Sequence, residues 1–306
     1  MVPILDHVRF LRRQRQAAER AELSESFRHL RTSAQLGRLA STGRGHEEEF
    51  HFAVLGDAEP GRFWFSRALF NVPGVFEKQV RAIQEHPIDF SVQLGDMVSR
   101  GLAENYRSFL NNISRLMPQK PYLTVIGNHD RHSPNLPSRA DYYRACFGRT
   151  NYAFDHGSIR FVVLDSSRRA VSGRQLKWLD LALRSPKRKI VFTHIPPGVL
   201  SWTHFAGARG VGGFRRGGRE FADIVSRHGV ERVYMGHIHG FGVQDFQDVR
   251  YVLTGGGGSP LFPLAVEDRF HHYIVVRVGA NGIEDRVFSL DGHHFKIPAA
   301  KVVIRS

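Results

Sequence analysis

The sequence predicts an α/β domain with a helical extension before it. Short runs rich in Val, Ile, Leu and Phe recur after residue 50 of the 306-residue chain, and such runs are typical of buried strands. Segments with helical spacing of apolar residues lie between these runs. Five of the runs end directly in polar side chains, at the carboxyl ends where open α/β sheets bind their ligands. Together these patterns indicate a functional site at the strand ends.

Residues 1–45 form the predicted N-terminal extension, which is helical and rich in arginine. Between residues 6 and 39, large apolar side chains recur among mixed charges with imperfect helical spacing. We expect two helices that dock on the main domain. The alternative is an amphipathic pair that makes peripheral contact with a membrane or binds a partner. The segment from Leu39 to Glu49 is predicted to be a flexible linker.

From residue 50 to residue 306, strands and helices are predicted to alternate in a single domain. The predicted strands are residues 51–55, 90–94, 122–126, 160–164, 189–192, 232–235 and 249–253. The best helix candidates are residues 75–85, 103–117, 173–183 and 214–227. Two further strands, at residues 273–278 and 283–288, flank Ala-Asn-Gly, which is a strong hairpin signal.

The polar strand endings carry side chains that bind metals. They are Asp57 with Glu59, Asp96, Asn128 with His129, His194, and His237 with His239. Two metal ions about 3.5–4 Å apart need a bridging carboxylate and a few ligands each, and Asp96 on its Gly-Asp turn suits the bridge. Asp57 and Glu59 are two residues apart, so an extended backbone could aim both at one ion, and the two histidines of Gly-His-Ile-His share this spacing. Oxygen and nitrogen ligands without sulfur favour Mn, Fe or Zn over Ca or Cu(I).

In this order, the motifs resemble those of the calcineurin-like metallophosphoesterase superfamily. The family pattern runs Asp-x-His, Gly-Asp-x-x-Asp, Gly-Asn-His-Asp/Glu, a lone His and Gly-His-x-His, and the chain follows it from Asp57 to His239. The resemblance covers about residues 50 to 290. It implies that residues 50–306 form a metallophosphoesterase domain, a four-layer αββα sandwich of two mixed β-sheets flanked by helices. The set of motifs is specific to the superfamily but does not identify a substrate.

The resemblance also implies roles for the strand-end residues. The first metal ion would be held by Asp57, Asp96 and His239. The second would be held by Asp96, Asn128, His194 and His237. The implied cofactors are two divalent or trivalent ions, with Mn or Fe favoured over Zn or Mg. The implied reaction is hydrolysis of a phosphate ester by a hydroxide that bridges the ions, with Asn128 near the phosphoryl oxygens and His129 as general acid or electrostatic partner of the leaving group.

The chain departs from the family pattern at two positions. Glu59 stands where the family usually has histidine, and we expect its carboxylate to bind the first ion and to favour Mn, Fe or Mg over Zn. The alternative is that Glu59 points away and leaves the first site weak. Ser99 replaces the second aspartate, which orients the catalytic histidine in relatives, so His129 is expected to be less polarised or to use Asp130 or another acid. His132 could line the cleft, although we expect it to lie at the rim of the cleft.

Basic and aromatic segments near the predicted site suggest where a substrate would bind. Arg100 follows the Gly-Asp turn and matches an arginine that clamps phosphate in some relatives, although a solvated surface arginine is the equal alternative. The segments 62–76 and 201–219 carry aromatic residues beside arginines, which suits a nucleotide base, an organophosphate or simply a packed loop. From the second segment we expect Arg215 and Arg216 to bind anionic substrate.

The bulk composition agrees with a soluble cytoplasmic protein. Apolar residues make up 42% of the chain, which is enough for a sizeable core. Cys146 is the single cysteine, so the chain forms no internal disulfide and no thiolate metal cluster. The N-terminal stretch soon turns arginine-rich, and no run of about 18 apolar residues occurs, so the sequence predicts neither a signal peptide nor a membrane-spanning helix.

The formal net charge of +14 leaves three classes of function open. A small phosphorylated molecule is the favoured substrate, as a phosphodiester or a phosphomonoester, and the dispersed charge would then attract it or simply aid solubility. Nucleic acid is allowed but not favoured, since the sequence contains no long basic block and no nucleic-acid-binding signature. The remaining class is an interaction protein that has kept the metallophosphoesterase fold and lost catalysis.

Overall fold

Two mixed β-sheets of six strands each pack face to face, and helices cover their outer sides. The computed structural model describes residues 2–43, 45, 49–60, 72–117, 119–131, 139–205, 212–261 and 270–300. Within these residues the four-layer αββα sandwich that the resemblance implied is confirmed.

The elements of the described residues alternate as the sequence predicted. The strands are β1 (Phe50–Leu55), β2 (Phe90–Gln93), β3 (Tyr122–Thr124), β4 (Tyr152–His156), β5 (Ile159–Leu164), β6 (Arg188–Thr193), β7 (Val230–Met235), β8 (Phe241–Phe246), β9 (Val249–Thr254), β10 (His272–Gly279), β11 (Gly282–Ser289) and β12 (His294–Lys296). The helices are α1 (Val2–Ser26), α2 (Thr32–Ala40), α3 (Val75–Gln84), α4 (Ala103–Leu116), α5 (Asp141–Cys146), α6 (Gly173–Ala182), α7 (Trp202–Phe205) and α8 (Gly218–Arg227), with a 3₁₀ turn at Arg28–Leu30.

Each sheet contains a run of neighbouring parallel strands. The first sheet has the order β12-β11-β10-β1-β2-β3, in which β1, β2 and β3 are parallel. The second has the order β4-β5-β6-β7-β9-β8, in which β5, β6, β7 and β9 are parallel. Because parallel neighbours point the same way, the carboxyl ends of these strands lie side by side at one edge of each sheet.

Aromatic side chains fill the space between the two sheets. Phe52 of β1 stacks on Phe90 of β2 with ring centroids 5.1 Å apart, and both rings meet the edge of Phe161 from β5. Phe192 and Tyr234 continue the second sheet's side of this core. Full burial of each such side chain stabilises the fold by about 1.5–3 kcal/mol, so this layer fixes how the two sheets face one another.

The second half of α1 docks on the domain, as expected, whereas the side chains of residues 6–15 do not. Leu23 and Phe27 are buried, and Tyr142 of α5 donates a hydrogen bond to Glu19. Residues 6–15 are exposed on every side, including Val8, Phe10 and Leu11. A membrane-binding or partner-binding role for this exposed half therefore stays a prediction. None of the described helices is both long and apolar enough to cross a membrane.

The sequence misplaced a few boundaries and missed some short elements. The last predicted helix begins at Gly218 and not at Phe214, because Gly217 adopts a left-handed φ of 80° and Phe214 is instead pinned to Pro196 and Gly198 by backbone hydrogen bonds. The linker was predicted to begin at Leu39, but helix α2 continues to Ala40 and Leu39 is buried. Strands β4, β8 and β12 and helix α5 were not predicted, because each is short or carries polar residues on an exposed face.

Candidate metal centre

Five strand ends from the two sheets meet at one edge of the sandwich. Strands β1, β2 and β3 contribute from the first sheet, and β6 and β7 from the second. The side chains that they bring to this edge are Asp57, Asp96, Asn128, His194, His237 and His239. Backbone hydrogen bonds tie the loops together, from Ala58 N to the Asp96 carbonyl (3.1 Å) and from Gly236 N to the His194 carbonyl (3.0 Å).

His194 lies fully buried with an acceptor at each ring nitrogen. Nδ1 donates to the Leu94 carbonyl at 2.7 Å, while Nε2 lies 3.1 Å from Asp96 Oδ2 and 3.1 Å from Asn128 Oδ1. Both nitrogens must therefore carry a proton when no metal is bound. Burial opposes that charge, but the carboxylate of Asp96 outweighs it and raises the pKa of His194 to about 9. The proton on Nε2 thus lies between the side-chain oxygens of Asp96 and Asn128, which a metal cation could bind instead.

Three of these side chains form a cluster with the dimensions of a metal site. Asp96, His194 and His237 each offer one ligand atom, and these atoms lie within 4.8 Å of one another. His237 Nε2 is buried and has no hydrogen-bond partner among the described residues. Burial, and then the charge of His194, lower the pKa of His237 well below its ordinary value, so the ring is neutral. A buried, unpartnered imidazole nitrogen is costly by itself and is the form in which histidine binds a metal.

The backbone is strained where it presents two of these side chains. Asp96 and His237 adopt left-handed φ angles of 47° and 72°, which cost about 1–3 kcal/mol in a residue other than glycine. Asp96 follows Gly95 and lies against Gly127, and His237 follows Gly236. A Cβ on Gly127 would lie 2.1 Å from Asp96 Oδ1, and a Cβ on Gly236 would lie 2.5 Å from Asp57 Oδ2. The glycines of the sequence motifs are therefore required by close packing around the carboxylates.

Asp57 and His239 face each other beside this cluster. Asp57 accepts hydrogen bonds from the backbone N–H of His237 at 2.9 and 3.1 Å. His239 Nδ1 donates to the Pro260 carbonyl at 2.7 Å, and its Nε2 lies 3.6 Å from Asp57 Oδ1. Burial lowers the pKa of His239 to about 4, so Nε2 carries a lone pair at neutral pH. A carbonyl on the far nitrogen is the usual partner that orients a metal-binding histidine.

Two buried carboxylates compete at the centre. Burial raises the pKa of Asp57 well above its usual range, and the charge of Asp96 adds to this effect while His194 opposes it. Burial also disfavours ionisation of Asp96, but His194 and His129 outweigh it and hold the pKa of Asp96 below its ordinary value. Of two carboxylates that share a buried site, one keeps its proton unless a cation stabilises both charges. The opposite shifts therefore favour the protonated form of Asp57 and the ionised form of Asp96.

His129 is oriented by a backbone carbonyl in place of the missing aspartate. Its Nδ1 lies 3.3 Å from the Ser99 carbonyl, and its backbone N–H donates to Asp96 Oδ1 at 2.8 Å. Asp130, which the sequence offered as a substitute acid, is engaged elsewhere, because its carboxylate accepts the backbone N–H groups of Met97, Val98 and Gly127. Glu59 is the acid near the ring, with Oε1 4.0 Å from Nδ1.

Glu59 is buried in the loop that follows Asp57. Its backbone N–H donates to the Asp96 carbonyl at 3.0 Å, and its own carbonyl accepts from Ser259 Oγ at 2.8 Å. These bonds bring the side chain to the centre on the side of His129. Binding of an ion by the Glu59 carboxylate stays a prediction, because Glu59 is not part of the cluster of Asp96, His194 and His237.

The predicted substrate-binding segments are only partly described. The side chains of Arg100, Arg215 and Arg216 are exposed, which leaves their binding role a prediction. Trp202 is buried in the core outside the second sheet, so of the alternatives for its segment it fits the packed loop. Residues 61–71, His132 and Arg209, and the side chain of His204, lie outside the described residues.

Sequence reasoning missed a buried ion pair beside the centre. Arg131 directly follows the Gly-Asn-His-Asp motif, and its guanidinium bonds Asp165 Oδ2 at 2.8 Å and Ser167 Oγ at 2.7 Å. Both charged side chains are almost fully buried. The signal was present, because Asp165 ends strand β5 in the same way that the other polar residues end theirs. Arg169, in the same loop, was also missed.

Comparisons with known proteins agree on one family. A family model for calcineurin-like phosphoesterases matches residues 50–241. A nucleotide pyrophosphatase/phosphodiesterase of Hordeum vulgare is 26% identical over 234 residues, covering 62% of this chain and 63% of the relative. Serine/threonine-protein phosphatase CPPED1 of Mus musculus is 28% identical over 183 residues, covering 56% of each chain. The chain thus spans about 56–63% of the length of these curated relatives.

Solved structures share the fold at low sequence identity. Purple acid phosphatase PPD1 from yellow lupin (Lupinus luteus) has a TM-score of 0.62 and 17% identity, and the match covers 83% of this chain and 54% of the lupin chain. GAP50, the anchor in the inner membrane complex of Plasmodium, has a TM-score of 0.54 and 15% identity, covering 84% of this chain and 90% of the other. At these identities the similarity establishes architecture alone.

Proposed function

The chain belongs to the calcineurin-like phosphoesterase family, and we propose that it is a metal-dependent hydrolase of small organic phosphate esters. The observation that carries this proposal is the buried donor cluster of Asp96, His194 and His237, with one imidazole nitrogen unpartnered. The buried His237 nitrogen without a partner among the described residues is costly in the metal-free fold and suits a cation.

The donor set fits two ions. One would be held by Asp96, Asn128, His194 and His237, and the other by Asp57, Asp96 and His239, with Glu59 as a further candidate. Oxygen and nitrogen donors without sulfur favour Mn or Fe, with Zn and Mg as alternatives. When bound, such ions make a water nucleophilic at neutral pH and neutralise phosphoryl oxygens.

The chain's own residues supply orientation and proton transfer. The hydrogen bond that His129 Nδ1–H donates to the Ser99 carbonyl holds one proton at Nδ1, so a second proton, carried at Nε2, is the one that the ring can give to the leaving oxygen. The backbone bond from His129 to Asp96 Oδ1 ties this ring to the metal-binding carboxylate. A carbonyl carries no net charge, so we expect it to polarise the His129 ring less strongly than a carboxylate does.

The substrate is proposed to be a small molecule with a phosphodiester or phosphomonoester group. The curated relatives carry names of both kinds, a nucleotide pyrophosphatase/phosphodiesterase and a protein phosphatase. The dispersed positive charge of the chain favours any anionic ester.

Turnover by metal-stripped protein resupplied with Mn²⁺ tests this function. A chromogenic phosphodiester and the matching monoester are the probes, and Asp96→Asn is the control variant, because it keeps the shape of the side chain and removes the charge. We expect metal-dependent hydrolysis that the variant lacks, and the ratio of the two rates assigns the ester class. Metal binding without hydrolysis of either ester would instead favour a noncatalytic interaction protein.

A further inference from the structure

The loop after β5 leaves the sandwich at the same edge as the candidate metal centre. Strands β5, β6 and β7 are adjacent and parallel, with Leu164 opposite Thr193 and Phe192 opposite Tyr234. The residues after these strands therefore emerge side by side. After β6 and β7 they include His194 and His237, and after β5 they are Asp165 to Arg169.

This loop is held from both sides. Toward β6, Ser166 Oγ accepts the backbone N–H of Ile195 at 2.7 Å, which fixes it to the residue after His194. Toward the first sheet, Asp165 and Ser167 bind the buried guanidinium of Arg131, three residues after Asn128. The loop is thus clamped between the segments that carry donors from each sheet.

Arg169 is presented by a strained backbone. Its φ of 58° is left-handed, and its backbone N–H closes a turn onto the Ser166 carbonyl at 2.9 Å. Among the described non-glycine residues, the others with such φ angles are Asp96 and His237 at the centre and two residues in the hairpin turn between β8 and β9. Strain of this kind persists where the surroundings enforce it, and it clusters at binding sites.

The charge of Arg169 reaches the centre. Desolvation lowers the pKa of Arg169 while the charge of Asp96 raises it, and the charge of Arg169 helps to lower the pKa of His237. Nη1 lies 3.4 Å from the Gly212 carbonyl, a long contact that leaves other N–H groups of the fork for a ligand. The residue as a whole is exposed, so a ligand can reach it.

We propose that Arg169 binds the phosphoryl group of the substrate from the β5 side of the centre, with the Arg131–Asp165 ion pair holding its loop in place. A guanidinium can give two parallel hydrogen bonds to the non-bridging oxygens of a phosphate, which a single lysine ammonium cannot match. The assignment rests on the proposed function, because it requires a phosphate ester at the centre. It makes Arg169, which the sequence did not single out, a substrate-binding residue.

Binding of inorganic phosphate to the Mn²⁺-loaded protein, measured by calorimetry, tests this role without turnover. Arg169→Ala and Arg169→Gly should weaken phosphate binding by about 10- to 100-fold, the usual loss for a charge-assisted hydrogen bond. Arg169→Gly favours the same left-handed backbone, so a loss in both variants reports the guanidinium and not a displaced loop. The exposed neighbour Arg168 supplies the matched control, and Arg168→Ala should bind phosphate like the wild type.

Kinetics provide the second readout. In the Arg169 variants, KM for the ester should rise by more than kcat falls, with metal content unchanged. The assignment would be overturned if phosphate affinity and KM in both variants stayed within about twofold of the wild type. It would also be overturned if the wild-type protein did not bind phosphate. If the wild type binds phosphate but hydrolyses neither ester, the proposed function fails, and the effect of Arg169 on phosphate binding still decides its role.

Discussion

Metal binding should release a proton from His194, and the structure sets the size of this effect. In the metal-free fold, both ring nitrogens of His194 face acceptors, and its pKa is raised from 6.5 to about 9. Near neutral pH the ring therefore carries its second proton almost completely. A metal that binds Nε2 must displace it, so we expect about one proton released per chain from this residue. Asp57, whose pKa is also raised, can add to that number.

The sign of the pH dependence follows from the same shift. Because the folded pKa lies above the ordinary value, the His194–Asp96 pair stabilises the metal-free fold fully below about pH 6.5 and loses that effect as pH rises through about 9. Metal competes with this proton, so apparent Mn²⁺ affinity should rise about tenfold per pH unit from pH 6.5 upward and level off above pH 9.

Calorimetric titration of metal-stripped protein with Mn²⁺ measures the proton directly. The observed heat is plotted against the ionisation enthalpy of several buffers, and the slope is the number of protons released. A slope near zero, together with affinity that does not change between pH 7 and pH 8, would refute the assignment of His194 as a protonated ligand. His228→Gln serves as a control, because that half-buried histidine contacts Asp180 of helix α6 and is not among the candidate ligands, and its slope should match the wild type.

Three further predictions concern charged side chains. Glu59→Ala should lower the Mn²⁺ content or affinity of the stripped and reloaded protein, and unchanged binding would remove Glu59 as a ligand. Arg131→Met should lower the free energy of unfolding by about 3–5 kcal/mol, since it leaves Asp165 buried and unpaired; a loss below about 1 kcal/mol in denaturant unfolding would contradict this. The double substitution Arg215→Ala with Arg216→Ala should raise KM for anionic esters without changing metal content, and an unchanged KM would place both arginines outside the substrate site.

Most of the fold was predictable because its strands are continuous apolar runs. Buried parallel strands such as β1 and β6 have no polar face, so they stand out in the sequence and their endings are easily seen. The strands at the margins, such as β8 and β12, alternate or carry polar residues and gave no such signal. The arrangement of strands into two sheets came from the resemblance and not from the pattern of residues.

The residues at the centre were predictable for a similar reason, but their partners were not. A polar side chain directly after a buried strand is conspicuous, which singled out Asp96 and His194. The carbonyl of Ser99 that orients His129 has no sequence signature, because any residue offers a backbone carbonyl. The Arg131–Asp165 pair joins positions 34 residues apart, and only the packing of two sheets brings them together.

The most direct test of the account is turnover followed during a Mn²⁺ titration of the metal-stripped protein. The account predicts no hydrolysis of a chromogenic phosphate ester at the start, and activity that rises with bound metal and saturates at about two ions per chain. Hydrolysis that persists in fully stripped protein would contradict it. So would a chain that fills both sites with Mn²⁺ and hydrolyses neither the diester nor the monoester.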